Sequence, residues 1–182
     1  LEFRGEIVII DNIDDQERHA SELLSEEFLG FDTESRPAFK KGVIYPVSLI
    51  QFATQKKAYL FRLINTEIGD TLIKVLESAT IKKAGVALED DLIDIKKIRN
   101  FKPQGFLSFE KEVKKIGIES NGLRKLAGII LNRRISKGAQ VSNWEAEELS
   151  EKQKIYAATD AWITLEMLDR LRKTHPEIYR YK

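Results

Sequence analysis

Phe28-Leu29-Gly30-Phe31-Asp32-Thr33-Glu34 reads as a strand that is apolar where it begins and acidic where it ends. Phe28, Leu29 and Phe31 suit a buried strand, and the two-residue period of a strand puts Asp32 and Glu34 on one face. Two carboxylates side by side on a core strand repel each other and cost desolvation energy. A protein keeps such a pair where a cation or a shared proton neutralises it. Alone, an Asp-x-Glu also describes an ordinary strand end with two solvated acids, so the rest of the chain has to decide.

Near the C-terminus, Tyr156-Ala157-Ala158-Thr159-Asp160-Ala161-Trp162 follows a helix start: Ser150 with Gln153 three residues on has the spacing of a capping box. Ile155, Ala158, Trp162, Leu165, Leu168 and Leu171 recur at helical spacing and predict a helix over about 151–173. Tyr156 and Asp160 stand at i and i+4, neighbours on one helix face. Packed on the strand of Asp32 and Glu34, they would complete an acidic site. Between the two segments lies Lys82-Lys83-Ala84-Gly85-Val86-Ala87-Leu88-Glu89-Asp90-Asp91-Leu92-Ile93, a short strand running into a helix with an acidic first turn. The helix dipole favours acids there without any further function. Three in a row exceed what a cap requires, and the pattern alone leaves Glu89, Asp90 and Asp91 open.

The remaining pattern is α/β. Strands are expected near 6–10, 28–34, 46–53, 57–61, 82–86 and 104–107, and helices near 14–24, 66–78, 89–99, 108–116, 122–131 and 151–173. Residues 45–61 read as a hairpin turning at Thr54-Gln55-Lys56, and the helix–strand alternation after it indicates a mixed sheet covered by helices. The 182 residues, 42% hydrophobic and 32% charged, suit one domain over 1–182 with its core at about 5–173. No apolar run approaches a membrane span, and no signal peptide is recognisable. Zero cysteines exclude disulfides and thiolate metal sites and fit a reducing, cytoplasmic setting. The chain begins at Leu1 without methionine, as a domain taken from a longer protein would. Net charge is +1, but residues 1–81 carry 14 acids against 9 bases, and residues 82–182 carry 15 against 21. Lys111, Lys114, Lys115, Arg124, Lys125, Arg133, Arg134 and Lys137 concentrate that excess, as a phosphodiester partner beside an acidic site would need. A solvated basic helix surface has the same composition.

Phe-Asp-Thr-Glu, Val-Ala-Leu-Glu-Asp-Asp and Tyr-Ala-Ala-Thr-Asp-Ala, in that order, resemble the three exonuclease motifs of the DEDD superfamily, tyrosine subtype. The likeness extends through Arg36-Pro37-Ala38-Phe39-Lys40-Lys41-Gly42, Ser48-Leu49-Ile50-Gln51, Gly122-Leu123-Arg124-Lys125-Leu126-Ala127 and Ser142-Asn143-Trp144-Glu145. It covers about residues 5–173 and is closer to Werner-type exonuclease domains and their free-standing bacterial relatives than to ribonuclease D. It implies a ribonuclease H-like mixed sheet flanked by helices, and 3′→5′ hydrolysis of nucleic acid, DNA by preference, to nucleoside 5′-monophosphates. Ribonuclease D-like RNA processing and a catalytically silent binding or helicase-recruiting module are the alternatives.

The resemblance also implies roles. Asp32, Glu34, Asp91 and Asp160 would hold two ions, Mg²⁺ or Mn²⁺ by their all-oxygen donors, and Tyr156 would orient the attacking water. It aligns Asp91, rather than Asp90, with the family acid. Nucleic acid with a free 3′ end would meet Thr33, Arg36, Lys40, Lys41, Leu88, Arg124, Lys125 and Trp144. Leu88 reads more readily as core, and Trp144 as a pin for its loop. His19 and His175 read as surface residues. Ser108 stands where many relatives carry an aspartate, which bears on substrate handling and not on the reaction class.

Overall fold

The computed structural model describes residues 1–64, 66–120, 122–136 and 138–179, so Lys137 of the basic group lies outside the described residues. Six strands form one mixed sheet in the order β1-β4-β3-β2-β5-β6. They are β1 (Glu6–Ile10), β2 (Phe28–Ser35), β3 (Val47–Ala53), β4 (Lys57–Arg62), β5 (Lys82–Gly85) and β6 (Phe106–Ser108). β2 to β3 and β3 to β4 are antiparallel; β1 to β4, β2 to β5 and β5 to β6 are parallel. The expected hairpin is the β3–β4 pair, where Thr54 N donates to Lys57 O (2.8 Å) and Thr54 Oγ1 accepts from Lys57 N (3.0 Å).

The period of two in β2 sorts its side chains into two cores. Leu29 and Phe31 join Phe52, Phe61 and the helices α1 (Ile13–Leu23) and α2 (Asp70–Glu77) on one face. Gly30 faces the long helix α6 (Glu151–Thr174), where Ala53, Ala58, Ala158 and Ala161 pack together. Small residues are required at this seam. A Cβ at Gly30 would come within 2.0 Å of the Ala161 carbonyl oxygen. Thr164 Oγ1 accepts from Phe31 N (3.3 Å) and donates to Ala84 O (2.7 Å), fastening the helix to β2 and β5. The capping box at Ser150 and Gln153 forms as the sequence indicates.

Several boundaries differ from the sequence reading. α2 begins at Asp70 and not near 66, because Gln16 of α1 holds the preceding stretch extended: its Nε2 donates to Glu67 O (2.9 Å) and its Oε1 accepts from Gly69 N. β6 begins at Phe106, after Gly105 turns the chain at φ +70°. α4 (Phe109–Lys114) stops short of 116, where Gly117 (φ +79°) reverses the chain and Ile118 N donates to Val113 O (3.0 Å). α3 (Leu88–Ile98) and α5 (Leu123–Leu131) lie close to expectation, and a 3₁₀ turn at Pro176–Tyr179 was not foreseen.

Candidate active site

Asp32 and Glu34 reach toward α6, and Asp160 comes down from α6 onto them. A carboxylate oxygen from each of the three lies within 4.8 Å of the others. The Gly30–Ala161 approach makes this possible, since Asp160 adjoins Ala161 and Asp32 lies one period beyond Gly30. Tyr156, one turn earlier on α6, places its hydroxyl at Asp160 and accepts a hydrogen bond from Arg124 Nη2 of α5 (2.8 Å). The buried Trp144 ring lies 6.1 Å from that of Tyr156.

Asp91 arrives from the opposite layer. Pairing of β2 with β5 ends at Gly30–Ala84, leaving Phe31–Ser35 open along that edge. α3 starts there, after Ala87 takes the left-handed conformation (φ 56°). Thr33, pointing away from Asp32 and Glu34, donates from Oγ1 to Asp91 Oδ1 (2.8 Å). The Glu110 carboxylate accepts from Ala87 N and from Ser108 Oγ, each at 2.8 Å, and ties down the entry to the helix. Of the three first-turn acids, Glu89 pairs with Lys111 (2.5 Å), Asp90 is exposed, and Asp91 alone bears electrostatically on Asp32.

The electrostatics follow from burial among like charges. Burial pushes the Asp32 carboxyl well above its ordinary range, and Asp160 and Asp91 push it further. Glu34 rises to about 10 through burial, then through Asp32, Asp160 and Asp91. Asp91 and Asp160 each rise to about 6, chiefly by burial; the Thr33 hydroxyl opposes this at Asp91, and Tyr156 and Arg124 oppose it at Asp160. Burial, then the Asp160 carboxylate, raises the Tyr156 hydroxyl well above its normal value, so it donates a hydrogen bond and is no base at neutral pH. A divalent cation would relieve the shared strain on all four acids. The donors are carboxylates only, and both histidines lie elsewhere, His19 on Glu22 and His175 on Glu177. This set suits a hard cation such as Mg²⁺ or Mn²⁺.

Other expected contacts fall differently. Leu88 is 2% exposed and belongs to the core, pressed against Gly85, so it is not available to a substrate. Trp144 is 1% exposed; it supports Tyr156 and offers no face for stacking. Thr33 is occupied with Asp91. Lys40, Lys41 and Lys125 are exposed, and Arg36 bonds Glu145 (3.3 Å). Arg124, expected on a phosphate, faces Tyr156. Sequence reasoning missed Glu110, and missed the buried Gln51, which is paired with Asp32 across β2 and β3. The signal that could have found Glu110 is its place two residues after Ser108, the position where many relatives carry an aspartate.

A mixed six-stranded sheet flanked by helices, with carboxylates at the end of a central strand, is an α/β fold of the ribonuclease H-like kind. The sequence model of the 3′-5′ exonuclease family matches residues 7–175, and the chain belongs to that family. It is 32% identical over 181 residues to the bifunctional 3′-5′ exonuclease/ATP-dependent helicase WRN of Mus musculus, covering 94% of this chain and 13% of that protein. It is 31% identical over 157 residues to human exonuclease 3′-5′ domain-containing protein 2, covering 80% and 25%. The chain thus spans only part of the curated relatives it matches. The EXO domain of Nibbler from Aedes aegypti superposes with a TM-score of 0.85 at 23% identity, covering 98% of this chain and 94% of that one. Escherichia coli RNase D gives 0.80 at 19%, covering 95% and 48%; at these identities the likeness is one of fold.

Proposed function

We propose that this chain, as one domain with its core at residues 5–173, is a divalent-metal-dependent 3′→5′ exonuclease releasing nucleoside 5′-monophosphates, with DNA as the favoured substrate. The convergence of Asp32, Glu34 and Asp160 within 4.8 Å, beside Tyr156, carries the reading. Asp32, Glu34 and Asp160 would hold one Mg²⁺ or Mn²⁺, and Asp32 with Asp91 a second. Bound there, the ions would lower the pKa of the attacking water and neutralise charge on the phosphate and the leaving 3′-oxygen.

The chain's own residues position the rest. Arg124 donates to Tyr156 Oη (2.8 Å) and so fills an acceptor site on that oxygen. The phenolic O–H is left to point at Asp160 or at the attacking water, which it orients without taking a proton. The same guanidinium draws Asp32, Glu34 and Asp160 toward their charged forms, readying them for a cation. Lys40, Lys41 and Lys125 supply cations for the backbone of the strand. The preference for DNA rests on the resemblance of the motifs to Werner-type domains, and the pairing of exonuclease with ATP-dependent helicase in the mouse relative favours a helicase as partner; the absence of cysteine fits a reducing, cytoplasmic setting.

The test is digestion of matched 5′-labelled DNA and RNA strands with Mg²⁺ or Mn²⁺. Stepwise shortening of DNA from the 3′ end with mononucleotide release is expected, and Asp32→Ala should abolish it. Tyr156→Phe should cost roughly 10²–10⁴-fold in kcat with metal affinity kept, the range for loss of a group positioned on the nucleophile. Faster shortening of RNA would reassign the substrate, degradation of a 3′-blocked strand would overturn the polarity, and cleavage by Asp32→Ala would overturn the site.

A further inference from the structure

Beside the acid cluster two loops enclose a cleft of about 620 Å³, within the roughly 300–1,000 Å³ of ordinary ligand sites. Residues 36–45, leaving β2, form one wall, and Val141 to Asn143 form the other. Its surface combines two properties rarely found together. Phe39 is 84% exposed and Val141 68%, a large apolar area held in water. Among these groups stand Arg36 and Lys40. The Arg36 guanidinium lies 4.9 Å from the Tyr45 ring centre and bonds Glu145 (3.3 Å), so a ring and a cation of the lining are already in register. An exposed ring, Phe39, and a half-buried one, Tyr45, with cations beside them are what an unpaired nucleic-acid strand requires: faces for bases, charges for phosphates.

The chain itself sets the position of this cleft relative to the chemistry. Arg36 is the first residue beyond β2, two residues after Glu34, a separation of about 7 Å for extended chain. Asn143 immediately precedes Trp144, whose ring rests against that of Tyr156. Both walls are therefore continuous with the acid cluster. We propose that Phe39 and Tyr45, with Arg36 and Lys40, form a stacking platform for the unpaired bases just 5′ of the terminal nucleotide of a single-stranded nucleic acid. The platform rests on the exonuclease reading and adds to it a reason for the enzyme to prefer a melted end. Charge favours this occupant over a protein partner, since the cations on the cleft lie beside a site that must itself receive phosphates.

Binding without metal separates this proposal from the activity. The full chain in EDTA would be titrated into 5′-fluorescein oligothymidylate and into an abasic strand of equal length and charge, read by anisotropy. Phe39→Ala should weaken oligothymidylate binding about 5- to 150-fold, the loss of one or more stacked bases, and leave the abasic strand unaffected. Phe39→Trp should restore binding. Lys40→Ala should weaken both strands alike and flatten the salt dependence by about one charge. Equal binding of oligothymidylate by wild type and Phe39→Ala would overturn the platform. So would equal affinity of the wild type for the two strands, or a change confined to self-association in sedimentation, which would make the patch a protein interface. None of these results touches the release of mononucleotides by the wild type, which is decided separately with metal present.

Discussion

The acid cluster has two halves of different construction. Asp32, Glu34 and Asp160 sit at a seam where β2 and α6 touch backbone to backbone: Gly30 against the Ala161 carbonyl, with Thr164 bridging Phe31 and Ala84. Nothing there can shift without moving the sheet. Asp91 hangs from the first turn of an 11-residue helix whose Ile93 is 53% exposed, held by one hydroxyl and by a loop bent through Ala87. One half is fixed by backbone-to-backbone contact; in the other, Leu88 and Ile95 seat the helix in the core, but the Asp91 carboxylate itself is placed by a few polar contacts. A packed site tolerates charge repulsion because the core carries the geometry, whereas a polar-tethered site can adjust as its charge is neutralised.

The largest expected effect tests the packed half. Gly30→Ala has no room for its methyl group, so α6 must move off β2, at a cost of about 3 kcal/mol. Chemical denaturation should show that loss, and Mn²⁺ should no longer raise the melting temperature. Wild-type stability with metal response retained would mean that the seam is looser than described.

Charge comes next. Raised carboxyls bind protons more readily in the folded than in the unfolded chain, so the stability they contribute is present below about pH 4 and is lost as pH rises, through about 6 for Asp91 and Asp160 and through about 10 for Glu34. Without metal, Asp32→Asn should therefore melt above wild type at pH 7.5, and the gap should narrow toward pH 5. Asp91→Asn, at the edge of the repulsion, should gain less. Mn²⁺ at about a hundredfold over Kd should stabilise wild type by about 2.7 kcal/mol and Asp32→Asn hardly at all. Equal gains for the two variants, or a gap that widens in acid, would contradict the difference between the halves.

Legibility in the sequence divides along the same line. The acids of the packed half were readable because strand and helix periods are rigid rules: residues 32 and 34 must share a strand face, and Tyr156 and Asp160 a helix face. Six strands and six helices came through with modest boundary shifts, the largest at α2, where a buried glutamine from another helix overrides local propensity. On the tethered side the pattern left three adjacent acids open. What turns Asp91 toward Asp32 is Thr33, 58 residues away in sequence, with Glu110 on the Ala87 amide. The partner of Arg124 was hidden for the same reason: a cation on a basic stretch looks like a phosphate ligand alone until the tyrosine it bonds is seen 32 residues on. Leu88 lies in the core, the side on which the sequence reads more readily, although a leucine at a helix start carries little sign of which side it faces.

A smaller effect probes the tether directly. Thr33→Val keeps the shape of the strand and removes the donor to Asp91, worth about 1–2 kcal/mol as a hydrogen bond to a carboxylate. The expected readout is weaker cooperativity in Mn²⁺ binding by calorimetry, with kcat down about tenfold. An unchanged titration would show that Glu110 and the helix start suffice to place Asp91.

The smallest effect reverses sign between the halves. Ala87 holds φ at 56°, a conformation that costs a residue with a Cβ about 1–2 kcal/mol, and glycine adopts it freely. After the greater freedom of glycine in the unfolded chain is subtracted, Ala87→Gly should stabilise the protein by about 0.5–1 kcal/mol. The same change at Ala161, in the interior of α6 and fully buried, should destabilise it by about 1 kcal/mol or more, because helix propensity and a packed methyl are both lost. Urea midpoints for the two variants decide it. Opposite shifts place stored backbone strain at the Asp91 end alone. Destabilisation by Ala87→Gly would mean that its methyl contributes more to seating α3 than its backbone costs, and the tethered half would then have to be counted as packed.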